Sequence, residues 1–368
     1  MSSLQHAEAL KVAADRAPTS ARLAGGAWRP AELAFWSLPL AAYLALPDHL
    51  LLINQMMVVG LFALSLDLIV GYARIASLGH AAFFGLGAYT AGLLSVHGWG
   101  EPISGLLAAA AVAGIAGWAV SFIVVRGTDL ARLMVTLGVG LMLYELANKP
   151  AFIAGGADGL SGMAMNKLLG VWEFDVYGRT AFFYSLAVLL LMFVLLRRVV
   201  RSPFGLGLLG IREGEKRMPA IGADLHGKVT TAFHLSAADA GVAGGLLAQS
   251  TQFVALDSLG FHRSAELLMI LILGGTGRLY GALVGTVVFL LAHHFLANLN
   301  PVYWQFWMGL LLIVIVLFGR GGIMGGLEKL EQRFLRMRAR GRSRALHPFA
   351  PRAWASGGAR STPIGTST

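Results

Sequence analysis

The sequence predicts an all-α protein, a polytopic membrane helix bundle of about ten transmembrane helices with both termini in the cytoplasm. The first observation is composition: 56% of the 368 residues are hydrophobic and 13% are charged, whereas about 25% are charged in a soluble globular protein. The second is a series of apolar runs, most of them near the length of about 20 residues that crosses a bilayer. The third is that basic residues concentrate in alternate loops, which orients such a protein.

Ten apolar runs account for the predicted spans. The first, residues 33–46, is the weakest because it is short and contains Pro39, and its crossing is left open. The other nine are 50–70, 81–96, 103–125, 130–147, 180–196, 229–248, 265–274, 279–296 and 303–318. The run that opens at Ala265 is also shorter than a bilayer-crossing helix needs.

The charges of the loops test this count. If the amino terminus lies inside the cell, positive charge falls on the inner side at nearly every turn. The inner loops then carry Arg74, Arg126, Arg132, Arg278 and a long basic stretch at 197–228. The outer loops carry Asp48, Glu101, residues 148–178, Asp257 with Arg263, Asn298 and Asn300. We therefore expect ten crossings with both ends inside.

This topology divides the chain into three regions. Residues 1–31 form a predicted cytoplasmic tail, since they lack the apolar core and cleavage site of a secretory signal. Residues 32–326 form the transmembrane domain. Residues 327–368 are rich in Arg, Gly, Ser and Pro and are predicted to be a disordered tail attracted to anionic lipid. The net charge of +10 is thus explained by topology and the lipid bilayer, and no nucleic-acid partner is expected.

Residues 197–228 form the longest polar interruption and are predicted to be a cytoplasmic loop. Seven basic residues outnumber three acidic ones there. Within the loop, residues 211–221 are predicted to form a short amphipathic helix, with Ile211, Met218 and Ile221 on one side and charged residues facing outward. A helix of this kind at the membrane surface is a contact site through which another protein could move the bundle.

Two glycine patterns resemble nucleotide-binding motifs but lack their context. Residues 205–210 match G-x-G-x-x-G, yet no β-rich strand precedes them. Residues 222–228 match the start of a phosphate loop, yet Val229 stands where Ser or Thr would hold magnesium. The chain also has no cysteine and no set of residues with the spacing of a metal site. We expect no catalytic site, cofactor or metal, so ATP-driven transport would need an ATPase on another chain.

Six ionisable residues fall inside or at the edges of predicted spans, where charge is costly and its presence indicates function. They are Asp67, Glu145, Asp239, Glu266, His293 and His294. Asp67 is expected to pair with Arg74. Glu145 is either a helix cap or a wall of a polar path, and Glu266 either a favourable charge at a helix amino terminus or part of that path. Asp239 is the deepest and has no evident partner, and the two histidines are expected to be interfacial.

Glycine-rich breaks and spacings also mark the spans. Residues 71–80 and 274–281 interrupt apolar runs, as discontinuous segments of transporters do or as tight cytoplasmic turns do. The tight turn is the preferred reading of 274–281. The GxxxG spacings of Gly241 with Gly245 and of Gly281 with Gly285 are typical of closely packed membrane helices.

Four stretches resemble the membrane subunit of branched-chain amino acid ABC importers, the LivM type of permease. They are residues 66–92, 135–163, 201–224 and 266–285, in the order of the family. The S-L-G-H-A-A-F block at 77–83 and the S-P-F-G block at 202–205 are the most specific parts. The resemblance implies a bacterial inner-membrane importer with a second permease chain, two ATP-binding cassette subunits and a periplasmic solute-binding protein.

The resemblance also implies roles for individual residues. The segment 211–222 would be the coupling segment that docks on an ATPase, through Arg212, Glu213, Glu215, Lys216, Arg217 and Gly222. The translocation path or its outer mouth would include Ser77, His80, Glu145, Asp158, Asp239 and Glu266. His80 is expected to line the path or to cap the next helix. The glycine-rich loop 155–159 would belong to the mouth or the docking surface for the binding protein, or would simply be a turn that needs glycine.

The expected function is therefore that of a non-enzymatic permease subunit that passes a branched-chain or related amino acid inward. Glu145 and Asp239 depart from the apolar pattern of the family, and a branched aliphatic solute does not need them. The same importer type carrying urea, an amide or an aromatic carboxylate is the alternative. A secondary transporter that uses the buried carboxylates as ion sites is a further alternative.

Overall fold

Helices account for the regular structure of every predicted apolar run. The computed structural model describes residues 30–150, 154–174, 178–318 and 321–326. In these ranges eleven α-helices have twelve or more residues: α1 (Pro30–Ala45), α2 (Leu50–Ala73), α3 (His80–Val96), α4 (Pro102–Val124), α5 (Asp129–Asn148), α6 (Arg179–Arg201), α7 (Pro203–Gly214), α8 (Leu225–Thr251), α9 (Phe261–Gly274), α10 (Leu279–Leu299) and α11 (Trp304–Phe318). The extended backbone in these ranges is limited to two isolated bridges, so the prediction of an all-α protein is confirmed.

Five of these helices are long and apolar enough to cross a membrane. They are α2 with the turn before it, α4, α5, α6 and α10. The helices α1 and α3 are apolar but shorter. Ten crossings with cytoplasmic termini stay a prediction, and the tails at 1–29 and 327–368 lie outside the described residues.

Capping residues place several helix boundaries where the sequence predicts them. The Glu101 side chain accepts the Ser104 amide at 2.8 Å before Pro102 opens α4, and Asp224 accepts the Gly227 amide at 2.9 Å at the start of α8. Such caps satisfy amides that have no partner within the helix. At the other end of a helix, Arg74 closes α2 in the left-handed conformation. The break at 74–79 therefore begins at a true helix end.

The predicted helix over 211–221 is wrong in its boundaries. The helix α7 begins at Pro203 and ends at Gly214, and two 3-10 turns follow, Glu215–Arg217 and Pro219–Ile221. Ser202 and Pro203 are a strong start signal, whereas Pro219 cannot continue a helix because it lacks an amide hydrogen. The loop is also shorter than the predicted 197–228, since α6 runs to Arg201.

The helix α8 lies at the centre and packs on α2, α3 and α4. A Cβ on Gly241 would meet the Ala113 Cβ at 2.5 Å and the Ala109 carbonyl oxygen at 2.6 Å. A Cβ on Gly244 would overlap the Phe84 carbonyl oxygen of α3. Small residues thus bring these backbones together, which confirms the packing role predicted for the GxxxG spacings.

The two glycine-rich breaks have different structures. Residues 74–79 form an irregular connection between α2 and α3, whereas residues 275–278 form a short turn between α9 and α10. Gly285 faces the Ile270 carbonyl across that turn. The prediction that residues 274–281 contain a tight turn is therefore confirmed.

A pair of alanine substitutions tests the central packing. Gly241→Ala should destabilise the protein by about 1–3 kcal/mol because the new methyl group overlaps α4. Gly138→Ala is the matched control, since its Cβ meets nothing within 4 Å and alanine favours a helix by about 1 kcal/mol over glycine. Thermal unfolding in detergent should give shifts of opposite sign. Equal shifts for the two variants would contradict the packing of α8 on α4.

Candidate functional site

The predicted coupling segment, residues 211–222, is attached to the bundle by two of its charged side chains. Arg212 donates through Nη1 to the Gly71 carbonyl oxygen at 2.7 Å, at the end of α2. Glu215 pairs with Arg132 of α5. Ile211 and Met218 are buried as predicted, but Ile221 is 76% exposed and does not belong to the apolar side.

The pair of Arg132 with Glu215 is bidentate and largely removed from solvent on the arginine side. Arg132 Nη1 donates to Glu215 Oε2 at 2.9 Å, and Nη2 contacts Oε1. Arg132 Nε also donates to the Val124 carbonyl oxygen at 3.2 Å, and the whole residue is 4% exposed. The hydrogen bonds from Arg132 lower the pKa of Glu215 below its usual value, because they favour the charged carboxylate.

The remaining predicted coupling residues face outward. Glu213, Lys216, Arg217 and Gly222 are exposed, and Gly222 closes the second 3-10 turn in the left-handed conformation. The segment therefore has an attached side, Arg212 and Glu215, and a free side, Glu213, Lys216 and Arg217. A partner that binds the free side would pull directly on α2 and α5.

The turn between α9 and α10 joins the same attachment point. Asp67 Oδ1 accepts the Gly277 amide at 2.7 Å, so its predicted pairing with Arg74 is wrong, and Arg74 is exposed. Gly277 has a φ of 78°, and a Cβ there would overlap the Arg212 guanidinium and lie 2.9 Å from the Gly71 carbonyl oxygen. Only glycine fits this position without strain.

His80 is held in the interior by a serine of α2. Its Nε2 lies 2.9 Å from Ser65 Oγ, and Ser65 Oγ donates its hydrogen to the Phe62 carbonyl oxygen at 2.6 Å. A hydroxyl has only one hydrogen to donate, so His80 Nε2 is the donor in this pair. Phe62 also stacks on the imidazole. Gly79 is the N-cap of α3, so the alternative of a capping role for His80 is wrong.

Two predicted path residues are buried without a hydrogen-bond partner among the described residues. Ser77 Oγ and both carboxylate oxygens of Asp239 have none, although the residues are 0% and 1% exposed. Neighbouring Ser236 donates to the Ser65 carbonyl oxygen at 2.5 Å. An unpaired buried carboxyl group is costly, so Asp239 stays a candidate for the path.

The other path candidates lie nearer the surface of the chain. Glu145 and Asp158 are exposed. Glu266 lies in the second turn of α9, where it accepts from Arg263 Nη1 at 3.1 Å and lies 3.2 Å from His262 Nε2. It is therefore a member of an ion-pair cluster rather than a charge in the first turn of a helix. Gly155, Gly156 and Gly159 all have positive φ, as the turn reading of that loop requires.

The two predicted interfacial histidines make contacts near the end of α10. The His293 ring meets Trp304 edge-on with centroids 4.4 Å apart, and His294 Nε2 lies 3.2 Å from Asn298 Nδ2. These contacts are compatible with the predicted interfacial role, which stays a prediction.

A cavity of about 260 Å³ lies beside several predicted path residues. It is lined by chain neighbours of those residues: Leu78 and Gly79 lie between Ser77 and His80, and Tyr144 precedes Glu145. Its polar lining includes Asp257, which was predicted from the sequence only as a loop residue, and His262, which was not singled out from the sequence. Arg132 was likewise read as a loop charge, and its local sequence gives no signal of a partner 83 residues away.

Comparison with known proteins gives consistent matches. Residues 49–316 match the family model described as the permease component of branched-chain amino acid transport systems. Over 290 residues the chain is 30% identical to the high-affinity branched-chain amino acid transport system permease protein LivM of Escherichia coli, covering 72% of this chain and 67% of that protein. The LivM protein of Salmonella typhimurium is 29% identical over the same shares. No solved structure matches the chain.

Replacing Glu215 tests its attachment to α5. Glu215→Gln should lower the free energy of unfolding by about 1 kcal/mol, since it removes a charge-assisted pair that is partly screened by solvent. The pKa of Glu215 is lower in the folded protein than its ordinary value of 4.5, so the stabilisation is complete above that value and is lost as pH falls through the folded pKa. The difference in thermal unfolding should therefore be constant from pH 8 to about pH 5.

The matched control is Glu213→Gln. Glu213 is exposed at the end of α7, two residues before Glu215 in the same coupling segment, and surface substitutions of this kind change stability by about 0.5 kcal/mol or less. Equal effects of the two substitutions at pH 7 would show that the pair with Arg132 does not hold the segment.

Proposed function

Because the chain belongs to the branched-chain amino acid transport permease family, we propose that it is the membrane-spanning subunit of an ATP-driven importer for a branched-chain or related amino acid. The match over residues 49–316 carries this proposal. The chain is a multi-pass membrane permease, and we place it in the bacterial inner membrane because the matched relatives are bacterial amino acid transport permeases. Both termini would face the cytoplasm.

In this proposal the coupling segment transmits the movement of the ATPases to the membrane helices. Its partner would be an ATP-binding subunit that contacts the free side, Glu213, Lys216 and Arg217. Arg212 and Glu215 tie the segment to α2 and α5, so closure of the ATPases would displace both helices together. Such rocking of spans switches a central path between the two sides of the membrane.

The energy source would lie on other chains. Residues 205–210 are inside α7 and residues 225–228 open α8, so neither glycine pattern follows a strand as a nucleotide-binding loop does. The complete importer would contain a second permease chain, two ATP-binding cassette subunits and a periplasmic solute-binding protein. The chain itself would carry no catalytic step.

For the solute we propose a chemical class and not one compound. Both matched relatives are named for branched-chain amino acids, which supports an amino acid. The same importer type carrying urea, an amide or an aromatic carboxylate is the alternative. The burial of Asp239 without a hydrogen-bond partner in the part of the chain that the structure describes is the observation that favours a proton- or ion-coupled carrier.

Cysteine labelling tests the topology directly, since the chain has no native cysteine. In intact cells, Lys216→Cys should react only with a membrane-permeant maleimide, because the coupling segment would face the cytoplasm. Trp99→Cys is the control on the opposite, predicted outer side and should react with impermeant reagents as well. Reaction of Lys216→Cys with an impermeant maleimide would overturn the orientation and the coupling role.

Charge reversal on the free side tests the coupling role. Glu213→Lys and Arg217→Glu should each reduce ATP-dependent uptake and solute-stimulated ATPase activity by at least about tenfold, as expected when interface charges of like sign meet. Thermal unfolding of the permease should stay unchanged because both side chains are exposed. Glu173→Lys, on the predicted outer side, is the control. Uptake that continues without any ATPase would instead support the ion-coupled carrier.

A further inference from the structure

The cavity of about 260 Å³ lies where two short helices begin. With 17 and 14 residues, α3 and α9 are about 25 and 21 Å long, less than the about 30 Å of a bilayer core. Ser264 Oγ in the first turn of α9 accepts the Ala81 amide in the first turn of α3 at 2.9 Å. The two helices therefore start close together, and their N-caps, Gly79 and Gly260, both line the cavity.

One part of the cavity wall is apolar. Leu78, Leu137, Leu141, Leu259 and Phe261 contribute side chains to it. The volume is several times the roughly 30 Å³ that one water occupies in the liquid, so it holds a molecule of the size of a small amino acid. A branched aliphatic side chain would find its favourable surroundings against these residues.

The cavity also touches an acidic cluster that can hold a cation. Asp257 Oδ2 lies 3.4 Å from Arg263 Nε, and the same guanidinium donates to Glu266 at 3.1 Å. Two carboxylates thus share one guanidinium, while His262 lies beside Glu266 and His293 interacts electrostatically with Glu266 and Arg263. The carboxylates outnumber the guanidinium, and Asp257 is the carboxylate on the cavity wall.

The first turns of α3 and α9 carry partial positive charge, which complements the negative charge of the acidic cluster. Their N-caps are glycines with no capping side chain, and amides in the first turn of a helix attract anions. Two buried hydroxyl groups, Ser77 Oγ and the Tyr89 hydroxyl, have no hydrogen-bond partner in the described ranges. They do not line the cavity themselves, but Ser77 is next in the chain to the lining residue Leu78, and Tyr89 interacts electrostatically with the lining residue Tyr144.

Another cavity, with a volume of about 660 Å³, offers no such combination. It is lined by apolar side chains of α1, α2, α6 and α10, with His49, His294 and Asn298 as its polar members. None of its lining side chains is a carboxylate. A zwitterion would lose its hydration there without a partner for its ammonium group.

We propose that the smaller cavity is the solute-binding station of the permease and that it takes a zwitterionic amino acid with an aliphatic side chain. Asp257 pairs with the ammonium group, the starts of α3 and α9 face the carboxylate, and the leucine-rich wall contacts the side chain. This inference rests on the proposed function and adds to it the residues that contact the solute.

Photolabelling with a diazirine analogue of L-leucine tests the assignment. The full-length chain, assembled with its partner subunits in lipid nanodiscs, should be labelled in peptides that contain residues 137–144 and 257–262. Excess L-leucine should abolish the labelling, whereas leucinamide and 4-methylpentanoate, which lack the carboxylate and the ammonium group respectively, should compete at least about tenfold less well, as the loss of one charge-assisted hydrogen bond predicts.

Two variants and a control complete the experiment. Asp257→Asn should reduce labelling about tenfold, and Leu141→Trp, at a 53% exposed position on the wall, should reduce it by narrowing the cavity without disturbing the core. Glu173→Gln is the control, because Glu173 is also an exposed carboxylate in an ion pair, with Lys167 at 2.7 Å, but lies outside the cavity lining.

Leucine uptake by the same complex separates the two proposals. If the unmodified complex takes up leucine with ATP while labelling falls outside the cavity, or while both variants are labelled like the control, the binding station is wrong and the importer stands. If the complex takes up no amino acid at all, the proposed function fails. Labelling confined to the cavity peptides and weakened in both variants supports the station.

Discussion

The close backbone contact of α8 with α3 and α4 is the constraint on which the rest of the structure depends. Gly241 and Gly244 leave no space for a side chain between these helices, so polar groups at this contact must find partners in place. Ser65 shows the result, since it accepts from His80 through its hydroxyl and from Ser236 through its carbonyl. Against this background the carboxyl group of Asp239, which has no hydrogen-bond partner among the described residues, is a departure that packing alone does not explain.

A rigid interior also determines how force could pass through the molecule. The coupling segment contacts the bundle through polar ties at its own charged residues, Arg212 to Gly71 and Glu215 to Arg132. Both ties end on helices that continue into the bundle, and a tightly packed helix moves as a unit. The charged residues that remain exposed are then available to a partner. In this short segment, Arg212 and Glu215 thus hold the bundle, whereas Glu213, Lys216 and Arg217 are exposed.

The short helices α3 and α9 begin where a cavity interrupts the packing of the bundle. A helix that begins inside a bundle leaves its first amides without helical partners, and membrane proteins tolerate such interruptions where they line a cavity. Here the two beginnings lie side by side, linked by Ser264 and Ala81, and a cavity of about 260 Å³ opens next to them. The irregular segment 74–79 is therefore part of the architecture of that cavity.

By itself the sequence determined the helical class, the family and the approximate position of each helix that an apolar run predicts, because the length of an apolar run is a local signal. Some ends differ by four or five residues, since α6 continues to Arg201 and α8 and α9 begin at Leu225 and Phe261. The sequence misplaced the helix of the coupling segment, where Ser202 and Pro203 start a helix that amphipathic spacing alone does not reveal. Only the tertiary structure decided which side chains meet. Asp67 and Gly277 are 210 residues apart, and such a contact depends on the packing of whole helices rather than on any pattern near either residue. For the same reason the cavity is lined by neighbours of the predicted path residues, since one position along a helix turns a side chain by about 100°.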